Sequence, residues 1–300
     1  MSALPTPPGR LIDVGGYKLH LWCQGSGSPA VILDSGLAGN SLLWASALSP
    51  ISRQTQACAF DRPGYAWSEP APDGVPRASL QIVHELRLAL EGAGVPPPYI
   101  LVGHSFGAIN MLVFAYNFPA EVAGLILVDP SHPEMMERVP GLPPIEAMQR
   151  SYNMLAKLSR IGLLRWLGPL LLKRLLPQGR QTLPPQVWDA LIFFVSRPDD
   201  YRTASREISF WRQSLEQARR PPGSLGSLPL EVLSSERWSS GKMTPIKQMT
   251  SQLHAELAAL SSHGRHRTVS DCDHADLPVV RPDAVADSVQ HILDILRTEQ

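Results

Sequence analysis

The sequence predicts an α/β protein: a mostly parallel central sheet with helices on both faces and a helical segment inserted between two late strands. Short apolar runs alternate with stretches of helical periodicity, the pattern of strands joined by crossover helices. The alternation breaks once, between Ser131 and Ser227, where proline and leucine are frequent and no convincing strand occurs. A serine set between glycines, in Gly103-His104-Ser105-Phe106-Gly107, directly follows one apolar run and marks a sharp strand-to-helix turn.

Taken in order, the spacing predicts strands at Lys18–Cys23, Ala30–Leu33, Thr55–Phe60, Tyr99–Val102, Gly124–Val128, Leu228–Leu233 and His266–Val269. Helices are expected at Leu42–Ile51, Leu80–Gly92, Phe106–Asn117, Ser251–Ser261 and Asp283–Leu296. The last carries Val285, Val289, Ile292, Leu293 and Leu296 at helical spacing behind Pro282, whose fixed φ suits a first turn. Paired prolines at 143–144, 184–185 and 221–222 mark hinges within and after the inserted stretch. The resulting organisation is a core at residues 1–130 and 228–300 with a helical cap at 131–227.

A chain of 300 residues, 44% hydrophobic and 18% charged, suits one large domain or a core with one insertion, and no internal repeat is visible. Its 27 basic and 27 acidic residues cancel, so no overall field favours nucleic acid, and a neutral organic substrate fits better. Cys23, Cys58 and Cys272 are odd in number, lie far apart and lack metal-ligand spacing. They read as reduced, mostly buried thiols, with a disulfide between two of them left open. The opening Met1–Pro8 has neither a basic nor an apolar leader pattern, and no apolar run reaches membrane-spanning length. A cytoplasmic location is the default expectation.

Attack on an acyl carbonyl needs a nucleophile, a base, a group that orients the base and donors for the oxyanion. Ser105, lifted above the sheet edge by its turn, is the candidate nucleophile. Glycines at 103 and 107 remove side chains that would collide there. His274, in the loop after the last strand and before the last helix, is the candidate base, because an open parallel sheet gathers its active residues at the carboxyl ends of its strands. His104 is expected to point away from Ser105 and to be structural. The oxyanion donors are expected at Phe106 N–H and at Leu37 N–H, the latter in the loop Asp34-Ser35-Gly36-Leu37-Ala38-Gly39. For the acid, Asp129, ending the strand before the inserted segment, is preferred over Glu236, which follows the next strand. Asp271, Asp273 and Asp276 read as turn residues. The chemistry calls for no cofactor and no metal.

These motifs resemble the α/β-hydrolase fold superfamily, and within it the serine esterases and lipases. The likeness rests on the loop at Asp34–Gly39, the turn Asp61-Arg62-Pro63-Gly64-Tyr65-Ala66-Trp67-Ser68, the elbow Gly103–Gly107 and the late histidine loop. It implies Ser105 as nucleophile, His274 as general base, and Leu37 and Phe106 as oxyanion donors. Where many relatives begin the first loop with His-Gly this chain has Ser35-Gly36, and where many have glycine after the aromatic of the turn it has Ala66. The segment after Leu233 lacks the Gly-x-x-Asp pattern that often carries the acid, which favours Asp129. Serine at 105 argues against epoxide hydrolases and haloalkane dehalogenases, whose chemistry needs a carboxylate nucleophile. The expected function is hydrolysis of carboxylic esters of small, largely apolar molecules through an acyl-enzyme. The alternatives are the same residues acting on a lactone, thioester, amide or carbon–carbon bond, and a ligand-binding protein without turnover.

Within the cap, Met154–Leu176 combines leucines and Trp166 with Lys157, Arg160, Arg165, Lys173 and Arg174, and no acid occurs from Ala147 through Trp188. Such a stretch can settle on an anionic membrane surface. The reading preferred from sequence is a cap helix with its apolar face over the site and its cations in water. Trp188, Phe193, Phe194, Tyr201, Phe210 and Trp211 could line a substrate pocket, but packing inside the cap is the preferred reading. The oligomeric state is not legible.

Overall fold

The computed structural model describes residues 4–236 and 244–298. Met1–Ala3, at the start of the leader reading, and Arg237, beside Glu236, lie outside the described residues. Eight strands form one sheet: β1 (Arg10–Asp13), β2 (Lys18–Gln24), β3 (Ala30–Asp34), β4 (Ala57–Phe60), β5 (Tyr99–His104), β6 (Val122–Val128), β7 (Leu230–Ser235) and β8 (Gly264–Val269). Their spatial order is β1-β2-β4-β3-β5-β6-β7-β8. The β1/β2 and β2/β4 pairs are antiparallel, and every pair from β4/β3 to β7/β8 is parallel. The mostly parallel sheet expected from sequence is therefore present, with β1 added at one edge. That strand escaped the sequence reading because it is four residues long and begins and ends on charge; an Asp13 carboxylate accepting from Gly15 N–H and Gly16 N–H turns it into β2.

Alternate residues of the parallel strands feed two cores, which is why these runs read as continuously apolar. Val31, Leu33, Ile100, Val102, Ile126 and Val128 pack under helices Ala45–Ser52 and Pro282–Thr298. Ile32, Leu101, Leu125, Leu127 and Val232 pack under helices Ser79–Ala93 and Phe106–Asn117. Leu101 is wholly buried, and truncating it to alanine would cost about 2–5 kcal/mol.

Seven helices run from Met135 to Ala218 between β6 and β7. They divide in their packing. Ile208, Trp211 and Leu215 join the main core, whereas Leu172, Leu176, Leu183, Trp188, Leu191 and Phe194 form a separate cluster over Leu42, Ala66 and Trp67. A Cβ at Gly64, whose φ is +89°, would lie 2.1 Å from Thr203 Oγ1, so helix Pro198–Ser209 seats directly on that turn.

The cysteine reading is corrected. Cys23 and Cys58, opposite each other in the antiparallel β2/β4 register, are joined by a disulfide, and Cys272 is free and buried. Thirty-five residues separate the pair in sequence, and only the fold of the intervening segment brings them together. Such bonds persist in oxidising surroundings, so the thiols no longer argue for a reducing compartment. Among the described residues no helix is long and apolar enough to cross a membrane.

Candidate active site

The candidate residues meet at the carboxyl ends of β3, β5, β6 and β8. Ser105 follows β5 with φ +52° and ψ −116°, a strained conformation for a side-chain-bearing residue. Its position is fixed by Ser105 N–H donating to Val128 O at 3.1 Å and by Ser131 N–H donating to Ser105 O at 3.0 Å. The flanking glycines are required by space: a Cβ at Gly103 would lie 2.6 Å from the Ala108 backbone, and one at Gly107 would lie 2.5 Å from Asp34 O.

His274 Nε2 lies 3.0 Å from Ser105 Oγ, and His274 Nδ1 lies 2.6 Å from Asp129 Oδ2. A carboxylate only accepts, which assigns the proton to Nδ1 and leaves Nε2 able to accept from the serine hydroxyl. Asp129 follows β6 at φ +41°, and its carboxylate leans across to the end of β7. There Ser235 N–H donates to Oδ1 at 2.7 Å and Ser235 Oγ–H to Oδ2 at 3.0 Å. Burial alone would raise the Asp129 pKa, but the hydrogen bond and charge of His274, the nearby His254 and Ser235 N–H together hold it well below the usual carboxylate range. For His274, burial pulls the imidazole pKa down, and the hydrogen bond and charge of Asp129 more than reverse this, leaving it above the ordinary histidine value. The His274 side chain is 45% exposed, which weakens the downward pull and supports the upward direction.

The structure brings Ser105, His274 and Asp129 together and leaves Glu236 outside. Glu236 is exposed, its N–H donates to Val269 O at 2.9 Å and its carbonyl accepts from Lys247 Nζ. No hydrogen bond joins its carboxylate to His274 among the described residues.

Of the expected oxyanion donors, Leu37 lines the same cavity as Ser105, and Phe106 is the residue that follows Ser105. Phe106 begins its helix, where an N–H has no intrahelical acceptor. Leu37 N–H donates to no described group. A set of buried charges that sequence reading missed holds the loop. Arg62 Nη1 donates to Asp34 Oδ1 and Ser35 O at 2.6 Å each, and Nη2 to Gly36 O at 2.9 Å. Arg62 Nε donates to Glu207 Oε1 at 2.8 Å, and Tyr65 Oη–H to Glu207 Oε2 at 2.8 Å. Gly36 C=O and Leu37 N–H belong to one trans peptide and point in opposite directions. With its carbonyl pinned by Arg62, that peptide turns Leu37 N–H away from the guanidinium. Arg62 stands in the turn already singled out in the sequence, but Glu207 comes from the inserted helices, 145 residues on, and no local pattern links the two.

For His104 the expected direction, not the expected structural role, is corrected. The residue does not point away, but lines the same cavity as Ser105, and its Nε2–H donates to His274 O at 2.8 Å. Burial, then the neighbouring His274, push its pKa down to about 3, so it is neutral and braces the base's backbone. Behind Asp129, Ser234 Oγ joins His254 Nδ1 at 2.6 Å and His266 Nε2 at 2.7 Å, and His254 Nε2–H donates to Pro130 O at 2.9 Å. These residues lie on four separate segments and carried no sequence signal.

Two cavities meet at Ser105 and His274. The larger, about 650 Å³, is mostly apolar and is roofed by Leu155, Leu171, Leu172, Leu175, Leu191 and Phe194. Of the aromatic residues weighed in the sequence, Phe194, Tyr201 and Trp211 line it, while Trp188, Phe193 and Phe210 do not. Asp200 also lines it, and burial pushes that carboxyl up to about 8, so it is mostly protonated near neutrality. The smaller cavity, about 230 Å³, lies beside Pro130, His132, Leu142 and Thr250.

Comparison with known proteins bears on the fold. Residues 29–153 match the family described as alpha/beta hydrolase fold. The solved structure of the epoxide hydrolase CorEH superimposes with a TM-score of 0.69 at 18% identity, covering 96% of this chain and 98% of that one. A thermophilic esterase from Thermogutta terrifontis gives 0.63 at 18% identity, covering 95% and 97%. In sequence, the uncharacterised protein YbdG of Bacillus subtilis is 30% identical over 135 residues, 44% of this chain and 41% of YbdG. The match thus spans less than half of that relative's length. The chain has the α/β-hydrolase fold. Its structural neighbours include epoxide hydrolases and an esterase, so the fold by itself leaves the reaction open.

Proposed function

We propose that the protein is a serine hydrolase that cleaves carboxylic esters of small, largely apolar molecules through an acyl-enzyme. The observation that carries this reading is the hydrogen-bonded series from Ser105 Oγ through His274 to Asp129, opening onto an apolar cavity of about 650 Å³. His274 Nε2 takes the hydroxyl proton as Ser105 Oγ attacks the ester carbonyl, and Asp129 stabilises the imidazolium formed. Leu37 N–H and Phe106 N–H receive the oxyanion, with Arg62 acting as a positioning residue through the Gly36 carbonyl. Collapse returns the proton from His274 to the leaving alcohol. Water, deprotonated by the same nitrogen, then releases the acid and restores Ser105.

The larger cavity suits an apolar acyl group and the smaller one a compact alcohol, since both open at Ser105. Serine at this position separates the reading from the epoxide hydrolases among the structural neighbours, because opening an epoxide by an ester intermediate needs a carboxylate nucleophile. Fluorophosphonate labelling with peptide mapping, beside hydrolysis of p-nitrophenyl esters of increasing acyl length, tests the proposal. Labelling confined to Ser105, lost in Ser105→Ala, with turnover peaking at an intermediate chain, is the expected result. A folded protein that neither labels nor turns over any ester would overturn it.

A further inference from the structure

Helix Leu163–Leu175 is apolar on two opposite faces. Leu164, Gly168 and Leu172, four residues apart, are buried toward the rest of the protein. Leu163, Trp166, Leu167 and Leu170 recur at i, i+3, i+4 and i+7 on the other side and are exposed, Trp166 at 83% and Leu170 at 67%. Ile161, just before the helix, is exposed at 76%. Among the described residues ten large apolar side chains are exposed, and seven of them lie between Met154 and Leu175. Isolated exposed leucines are ordinary, but this concentration in one segment is not. The expectation of an apolar face turned over the site with only charge facing water therefore describes half of the helix.

The charge around this face is of one sign. Lys157, Arg160, Arg165, Lys173 and Arg174 are all exposed, no Asp or Glu occurs from Ala147 through Trp188, and no described carboxylate pairs with any of the five. The chain as a whole has no net charge, so the cations are gathered here against a neutral background. A second copy placed on this face would set these cations against their own equivalents, which opposes a symmetric dimer. A surface that is anionic outside and apolar a few ångströms deeper complements both features at once.

We propose that the outer face of Met154–Leu175 docks on an anionic phospholipid surface, with Trp166 and Leu170 entering the boundary between headgroups and acyl chains and the flanking cations meeting the phosphates. The inner face of the same helix contributes Leu171, Leu172 and Leu175 to the cavity that holds Ser105, so docking sets the roof of the site against the lipid. An apolar substrate then reaches the cavity without first partitioning into bulk water. The docking itself does not depend on the ester chemistry, because lipid binding needs no turnover.

Flotation of the whole protein with two kinds of vesicle tests this: phosphatidylcholine alone, and phosphatidylcholine with phosphatidylglycerol at about two to one. Binding is expected to the mixed vesicles, weaker by about tenfold or more on phosphatidylcholine alone and in salt on the order of 0.5 M. Trp166→Ser with Leu170→Ser, and separately Lys173→Glu with Arg174→Glu, should each lower it by about tenfold with unchanged Tm and unchanged turnover of a soluble ester. Three results would overturn the proposal: no binding to either vesicle, equal binding by wild type and both variants, or a wild-type dimer that the Trp166 and Leu170 changes dissociate, which would assign the face to a second copy.

Discussion

Helix Pro282–Thr298, which backs the sheet, hides Val285, Val289 and Ile292 on one side and shows Asp283, Asp287 and Asp294 on the other, whereas helix Leu163–Leu175 shows leucines and Trp166 to both sides. The first follows the ordinary rule for a helix with one neighbour. The second has two neighbours to satisfy, the cavity beneath it and whatever lies above. The same contrast holds between the whole sheet edge and the insertion. At the edge, short polar groups on strand ends are locked by hydrogen bonds under 3.2 Å, as Asp129 is by Ser235 and His274. In the insertion, leucines surround an open volume and leave shape rather than hydrogen bonding to select the occupant.

If the edge carries the chemistry and the insertion selects, changes at the edge should cost far more. Asp129→Asn is expected to lower kcat/KM by about 10⁴-fold with esters, while Glu236→Gln stays within about twofold. Comparable losses in the two variants would break the contrast. The pH profile sharpens it. On the proposed mechanism the neutral form of His274 is the base, and Asp129 holds its pKa above the ordinary value, so kcat/KM should rise with pH through a point above that value. In Asp129→Asn the downward pull of burial is left unopposed, and the limb should move to lower pH.

Arg62 lies at the seam between the two regions. Arg62→Lys keeps the charge but loses the fork that reaches both loop carbonyls, and should lower kcat by about 10–10²-fold with KM little changed. Glu207→Gln should give a smaller effect of the same kind. A change confined to KM would show that the arginine only supports substrate binding. Where the regions meet sterically, Gly64→Ala should destabilise by about 1–3 kcal/mol in urea unfolding, partly rescued by Thr203→Ala, since the collision is with Thr203 Oγ1. The smallest effect is expected at Ala66, which adopts φ +43°. Ala66→Gly removes that strain and should change Tm upward by the equivalent of about 1 kcal/mol or less.

Much of the sheet was legible because its parallel strands are buried on both faces and read as unbroken apolar runs. The elbow was legible because the space around Ser105 admits only glycine at 103 and 107. What escaped was set by contacts distant in sequence. His104 sits beside Ser105 in the chain, yet its partner is His274 O, 170 residues away. Ser235 gives two of the bonds to Asp129, but nothing distinguishes it locally from Ser234. The pairing of Cys23 with Cys58 needed the β2/β4 register, and the antiparallel edge carries weaker signals than the parallel centre. Periodicity found the helical character of Leu163–Leu175 and could not say that both of its faces would be in use.

The bonds from Glu207 to Arg62 and Tyr65 set a rule for anyone exchanging the insertion between proteins of this fold. A transplanted insertion could vary almost freely at the leucines over the cavity and so retune which molecules fit there. It would have to bring its own carboxylate at the Glu207 position, however. Without one, Arg62 would keep Asp34 but lose the carboxylate that fixes its Nε beside the Gly36 carbonyl, and the graft would lose activity even where it succeeded in folding.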